Sequence, residues 1–215
     1  MVAVIFDCDG VLVDSEPVYA EAFSLALHAF GCPLPANFLS RSLQGKNLAD
    51  CYRWLFEYWQ FVVTPEFEHT LFAQTQRLIS LNLHPIVGVH AVVERLTCAK
   101  AVASNGMFSS VRDNLTRCDL WRYFEPHVYT AELVKKPKPA PDLYCYVAQK
   151  LGYDCANCYV IEDSFLGVTA ALAAGMRVCW LMQHELPATI PANVVVATSM
   201  VEVANWLDSQ GCMQT

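Results

Sequence analysis

Short apolar runs of strand length recur along the chain, with helix-length segments between them. The runs are Val2–Phe6, Ala99–Ser104, Val128–Ala131, Cys158–Glu162, Arg177–Leu181 and Val194–Ala197. Helical patterning occupies Val87–Thr97, Ser109–Cys118, Pro141–Leu151 and Phe165–Ala174, with Gly175 as a stop after the last. Parallel strands cannot be joined by a tight turn, because each must cross back before it can pair again. The alternation therefore predicts an α/β fold, a doubly wound parallel-sheet (Rossmann-like) core with helices on both faces. In such sheets ligands bind beyond the carboxyl ends of the strands.

The interval 15–84 interrupts this alternation and reads as helices only: Pro17–Phe30, Leu48–Tyr58 and Pro65–Leu81. Breaks fall at Gly31-Cys32-Pro33-Leu34-Pro35 and near Val63-Thr64-Pro65. The expected division is an α/β core of residues 1–14 and 85–215 with an inserted α-helical domain, 15–84. Trp54, Phe56, Tyr58, Trp59 and Phe61 are dense enough to form that insert's core.

The chain has 215 residues, of which 54% are hydrophobic and 16% charged, so a sizeable core is expected. A net charge of −7 argues against non-specific nucleic-acid binding. Ten cysteines are scattered through mostly apolar surroundings, as buried free thiols are. No apolar stretch reaches membrane-spanning length, and Asp7 stands too near the start to leave room for a cleaved leader. A reduced, cytoplasmic protein without a membrane or nucleic-acid partner is expected, as a monomer. Cys155-Ala156-Asn157-Cys158 lacks the second pair or the histidines that a zinc site wants.

Chemistry gathers at four strand ends. Ile5-Phe6-Asp7-Cys8-Asp9-Gly10-Val11-Leu12-Val13-Asp14-Ser15-Glu16 places two aspartates one residue apart, behind a strand and before a glycine. Such paired carboxylates repel unless a cation holds them. Later come Ala101-Val102-Ala103-Ser104-Asn105-Gly106, Lys138-Pro139-Ala140-Pro141-Asp142 and Val160-Ile161-Glu162-Asp163-Ser164-Phe165-Leu166-Gly167. In this order the four segments resemble the motifs of the haloacid dehalogenase-like (HAD) hydrolases. The nearest resemblance is to the β-phosphoglucomutase and phosphogluconate-phosphatase branch with a helical cap.

The resemblance implies a Mg²⁺-dependent phosphatase that hydrolyses a small phosphate ester, a sugar or sugar-acid phosphate, through an aspartyl-phosphate. Asp7 would be the nucleophile and Asp9 the group that protonates the leaving alcohol and then activates water. Asp9 at the second position is what a phosphatase needs and a dehalogenase lacks. Asp7, the carbonyl of Asp9, Asp163 and Glu162 would supply hard oxygens for Mg²⁺. Ser104 and Asn105 would bind phosphoryl oxygens beside Gly10, and Lys138 would neutralise charge on the nucleophile and phosphate. Lys135 and Lys136 read as solvated charges, Asp142 as a helix cap or a pin for its loop, Asp14 as a hinge or structural acid and Cys8 as packing.

Recognition of the rest of the substrate falls to the insert, with Glu16, Tyr19, Arg41, Gln44, Gly45, Lys46 and Asn47 as candidates. Leu43-Gln44-Gly45-Lys46-Asn47 resembles the cap specificity loop of the same branch. A β-phosphoglucomutase-type phosphotransferase would use the same core. Its relatives tend to carry a cap histidine after the first motif, where this chain has Tyr19 and Ala20 and no histidine before His28. A non-catalytic binding module would have lost one of Asp7, Asp9, Lys138 or Asp163.

Overall fold

The computed structural model describes residues 2–43, 46, 48–182, 190–191 and 193–214. In chain order, β1 (Ala3–Phe6) is followed by α1 (Glu16–Ala29), α2 (Ala36–Leu43), α3 (Leu48–Trp59) and α4 (Pro65–Asn82). Next come α5 (Val89–Arg95), β2 (Ala99–Ser104), α6 (Phe108–Arg117), α7 (Trp121–Phe124) and β3 (Val128–Thr130). The chain then forms α8 (Asp142–Leu151), β4 (Cys158–Glu162), α9 (Phe165–Ala173), β5 (Arg177–Leu181), β6 (Val194–Ala197) and α10 (Met200–Ser209).

The six strands form one sheet in the order β3-β2-β1-β4-β5-β6, and every pair is parallel. β1 is buried along its whole length because both edges are paired: Ile5 lies opposite Ala101 of β2 and Val160 of β4. A strand covered on both faces needs apolar residues at every position, which is why Ala-Val-Ile-Phe shows no alternation. One face packs Ala3, Ile5 and Ala103 against Leu143 and Val147 of α8 and Val168 and Ala171 of α9. On the other face, Phe6 meets Phe124 of α7 edge-on, ring centroids 5.6 Å apart. The order of strands reverses between β1 and β4, and the crevice of a doubly wound sheet opens at such a point.

The chain divides into two compact units, Met1–Val13 with Pro85–Thr215, and Asp14–His84. Within the first, Ile86 N donates to Leu12 O at 3.0 Å, and Val13 and Pro85 form an antiparallel bridge. Within the second, Asp14 N donates to His84 O at 2.9 Å, and α1 packs against α2 and α4. Its centre is Phe67, ringed by Phe23, Phe30, Tyr52 and Phe61.

Of the aromatic residues expected in that centre, only Phe61 joins it. Phe56, Tyr58 and Trp59 are exposed, and Phe38, Trp54, Tyr58 and Trp59 stack on one another at the surface instead. The sequence reading also missed α2, α7 and α10. Among the described residues no helix is long and apolar enough to cross a membrane.

Candidate active site

Residues from three adjacent central strands and one loop meet beyond the carboxyl ends of the sheet. Asp7 follows β1, Ser104 ends β2, and Glu162 ends β4 with Asp163 after it. Lys138, from the loop ahead of α8, is buried although Lys135 and Lys136 beside it are exposed. Its ammonium donates to Asp7 Oδ1 and Glu162 Oε1, both at 2.6 Å, and to Ala103 O at 2.8 Å. Three N–H bonds thus meet three acceptors, which a buried lysine requires. The Asn105 side chain fixes the backbone beneath it: Nδ2 donates to Lys138 O and Oδ1 accepts from Lys138 N, each at 3.1 Å.

Glu162 has no solvent exposure, and both its oxygens are committed. Oε1 accepts from Lys138 and, at 2.9 Å, from the Tyr144 hydroxyl, while Oε2 accepts from Asp163 N, Ser164 N and Ser164 Oγ. The Tyr144 ring also faces the ammonium, 4.7 Å from its centroid. Trp180 Nε1 donates to Asp163 O at 2.7 Å, which holds the loop after β4 from the other side.

Two glycines make room for these carboxylates. A Cβ at Gly167 would stand 1.7 Å from Glu162 Oε1, and one at Gly10 would stand 2.0 Å from Asp163 Oδ2. Gly10 also holds φ +76°, in the region where only glycine is unstrained. Its amide donates to Val13 O at 2.8 Å, so the turn after β1 is closed on itself by the Gly10 N–H and by Leu12 N donating to Cys8 O.

Asp7, Glu162 and Asp163 can bring one carboxylate oxygen each within 4.8 Å of the others. One ammonium does not balance three such carboxylates. Burial raises the Asp7 carboxyl to about 7 against the pull of Lys138, with Glu162 and Asp9 adding to the rise. Burial and the charges of Glu162 and Asp7 likewise push Asp163 well above the ordinary carboxylate range. Burial alone would lower Lys138, but Asp7 and Glu162 outweigh it and hold the ammonium well above its usual range. A buried set of hard oxygens with surplus negative charge fits a small divalent cation, which would relieve the repulsion that protons otherwise relieve.

The family model for haloacid dehalogenase-like hydrolases matches residues 4–181. The chain is a member of that family. A phosphorylated carbohydrates phosphatase of Thermotoga maritima is 31% identical over 214 residues, covering 96% of this chain and 98% of that protein. A 6-phosphogluconate phosphatase of Escherichia coli K12 is 28% identical over 192 residues, covering 88% and 87%. The crystal structure of a HAD family hydrolase from Deinococcus radiodurans R1, with bound phosphate and sodium, superimposes with a TM-score of 0.83. It is 28% identical, covering all of this chain and 98% of that one. The chain is accordingly a HAD-like phosphatase, with α1–α4 in the place of that family's cap between β1 and β2.

In this HAD-like protein Asp7, Lys138, Glu162 and Asp163 are drawn together as one network. Ser104 is buried at the end of β2, where its Oγ accepts from Gly106 N at 3.0 Å. Asp142 does not cap α8: it is the first helical residue, and Pro141 occupies the cap position without a side-chain bond. Cys8 is fully buried, as expected of a packing residue. In the helical unit, Glu16 and Tyr19 stand on α1 and Arg41 on α2. Ser40 Oγ donates to Glu16 Oε1 at 3.3 Å, and Lys46 Nζ donates to Ser42 O at 2.8 Å. Gln44, Gly45 and Asn47 lie outside the described residues.

Tyr144 and Trp180 escaped the sequence reading. Tyr144 carried a usable signal, since a tyrosine on the apolar face of a buried helix needs a partner for its hydroxyl. Trp180 carried none, because its partner is a backbone carbonyl on a neighbouring strand's loop.

Proposed function

We propose that the protein is a Mg²⁺-dependent phosphatase of a small phosphorylated carbohydrate or sugar acid, working through an aspartyl-phosphate on Asp7. The observation that carries this reading is the fixed position of Asp7, hydrogen-bonded to a saturated ammonium and crowded by Asp163 and Glu162. A carboxylate is a weak nucleophile, so its placement must supply much of the rate. The names of the relatives from Thermotoga maritima and Escherichia coli support the substrate class.

In this mechanism Asp7 attacks phosphorus while the bond to the sugar oxygen breaks. Asp9 gives its proton to the leaving oxygen, then takes one from the water that attacks the phosphoryl group and frees Asp7. Ser104 and the Asn105 amide hold phosphoryl oxygens. Asp7, Asp163 and the Asp9 carbonyl would hold Mg²⁺ with Glu162 alongside them, and the ion when bound supplies charge neutralisation on the phosphoryl oxygens. Glu162, with five donors on its two oxygens, keeps Lys138 and the loop after β4 in place. The helical unit, 15–84, bears substrate specificity, with Glu16, Tyr19, Arg41 and Lys46 as the residues to vary first.

The test is phosphate release from 6-phosphogluconate, hexose and pentose phosphates and glycerol phosphate, with Mg²⁺ and with a chelator. Preferential release from a sugar or sugar-acid phosphate, stopped reversibly by the chelator, is expected. Asp7→Asn should lower turnover by about three orders of magnitude or more with the circular dichroism unchanged. Substantial activity in that variant would overturn the aspartyl-phosphate route, and metal-independent release would overturn the cation's role.

A further inference from the structure

The ten cysteines are all reduced, and six of them are buried: Cys8, Cys51, Cys118, Cys158, Cys179 and Cys212. Of the four that reach solvent in part, Cys98 donates its thiol to the buried Cys212 carbonyl at 4.0 Å, whereas Cys145 and Cys155 face each other thiol to thiol. Cys155 Sγ donates to Cys145 Sγ at 3.8 Å. Cys145 stands in the first half of α8, and Cys155 in the 3-10 turn Cys155–Asn157 that leads into β4. The Cys-x-x-Cys spacing visible in the sequence is therefore not the pair that the fold makes. Cys158 turns into the core, where its thiol donates to Asp154 O at 3.5 Å.

We infer that Cys145 and Cys155 are a disulfide-forming pair, oxidised by low-molecular-weight disulfides, whose bond ties α8 to the turn before β4. The two sulfurs are already in contact at 3.8 Å, and the bond brings them to about 2.0 Å. In the first step Cys155 thiolate attacks one sulfur of the small disulfide, whose S–S bond breaks and releases a thiolate. In the second, Cys145 thiolate attacks the Cys155 sulfur and releases the other small thiolate. The two cysteine protons end on the two departing thiols, so the protein loses two electrons and the small disulfide gains them. Burial raises both the Cys145 and the Cys158 thiols, and Cys158, with no solvent exposure and its thiol turned to Asp154 O, is the poorer competitor for Cys155. The residue before Cys145 is Tyr144, whose hydroxyl donates to Glu162, so the bond would secure the helix on which the buried ammonium depends. The inference does not rest on the substrate reading.

The experiment treats the folded protein with bis(2-hydroxyethyl) disulfide, blocks remaining thiols by alkylation, and maps cross-links after trypsin digestion. Cleavage at Lys150 separates Cys145 from the peptide that carries Cys155 and Cys158. Fragmentation between the latter two then assigns the sulfur in the wild-type protein, whether or not variants fold. The expected result is a Cys145–Cys155 bond in the wild type and in Cys158→Ser, and none in Cys145→Ser or Cys155→Ser. A Cys155–Cys158 bond, free alkylation of both Cys145 and Cys155, or a cross-link seen only in urea would overturn the inference.

Discussion

Lys138 spends all three of its protons on Asp7, Glu162 and Ala103, and the site is built around that count. The packing around it is equally committed at Gly167. Alanine in the interior of a helix is ordinarily favoured over glycine by about 1 kcal/mol. At this position the added Cβ would fall 1.7 Å from Glu162 Oε1, inside a fully buried carboxylate with five donors. Steric displacement outweighs propensity, so Gly167→Ala should destabilise by about 3 kcal/mol and cut turnover about 100-fold. Denaturant unfolding and phosphate release measure the two effects separately.

A second prediction follows from Asp7, whose carboxyl rises from 3.8 to about 7, chiefly through burial. Between those values the folded protein keeps a proton that the unfolded chain has released. Stability from this group is therefore greatest at low pH and is lost as pH rises through about 7. The chelator-treated protein should melt at a lower temperature at pH 7 than at pH 5. Added Mg²⁺ should raise the melting temperature more at pH 7, where fewer protons compete for the oxygens. Equal Mg²⁺ effects at both values would contradict a cation held by Asp7.

The residues that the fold gathers beyond the sheet were legible in the sequence because strand ends announce them. Asp7, Ser104 and Glu162 each close an apolar run, and Lys138 precedes Pro-x-Pro-Asp. What could not be read was commitment. Nothing in the spacing shows that Glu162 spends both oxygens on protein donors: Lys138 and Tyr144 reach it from other segments, and the bonds from Asp163 and Ser164, like the Gly10 amide's return to Val13, depend on local backbone geometry that residue identity does not print.

At the scale of elements, α9 and α10 begin alike and serve differently. Ser164 caps α9 by accepting from Gly167 N at 3.0 Å, and Ser199 caps α10 by accepting from Glu202 N at 3.4 Å. Removing either cap should cost about 1 kcal/mol of stability. Ser164 Oγ also donates to Glu162 Oε2 at 2.9 Å, a bond to a charged group. Ser164→Ala should lower turnover about tenfold, while Ser199→Ala should leave it unchanged at a similar stability loss. Equal turnover in the two variants would mean that Ser164 only caps.

Elements were read best where burial imposes a single pattern. All six strands fall within a residue of their expected ends, since a parallel core strand must be apolar throughout. α2 was missed because it is only eight residues long and buries one position, Leu39, so its apolar face is too short to stand out from the loops around it. The aromatic residues of α3 were misplaced for a different reason. Their density matches a core, but Phe67 on α4 had already gathered the rings that fill it.

For the whole molecule, connectivity matters more than any one contact. The site's residues come from β1, β2 and β4, the middle of the sheet, and from the loop before α8, while β3, β5 and β6 flank them. The chain leaves the core at Val13 and re-enters it at Pro85, and those two residues bridge each other. A short glycine-rich link replacing residues 14–84 should therefore close without strain. The shortened chain should retain α/β circular dichroism and unfold cooperatively, and a chain without a cooperative transition would show that the helical unit is needed for folding. Paired exit and entry points make the helical unit an exchangeable module. Insertions, deletions or wholesale replacement between these two residues can accumulate over descent without changing the register of β1.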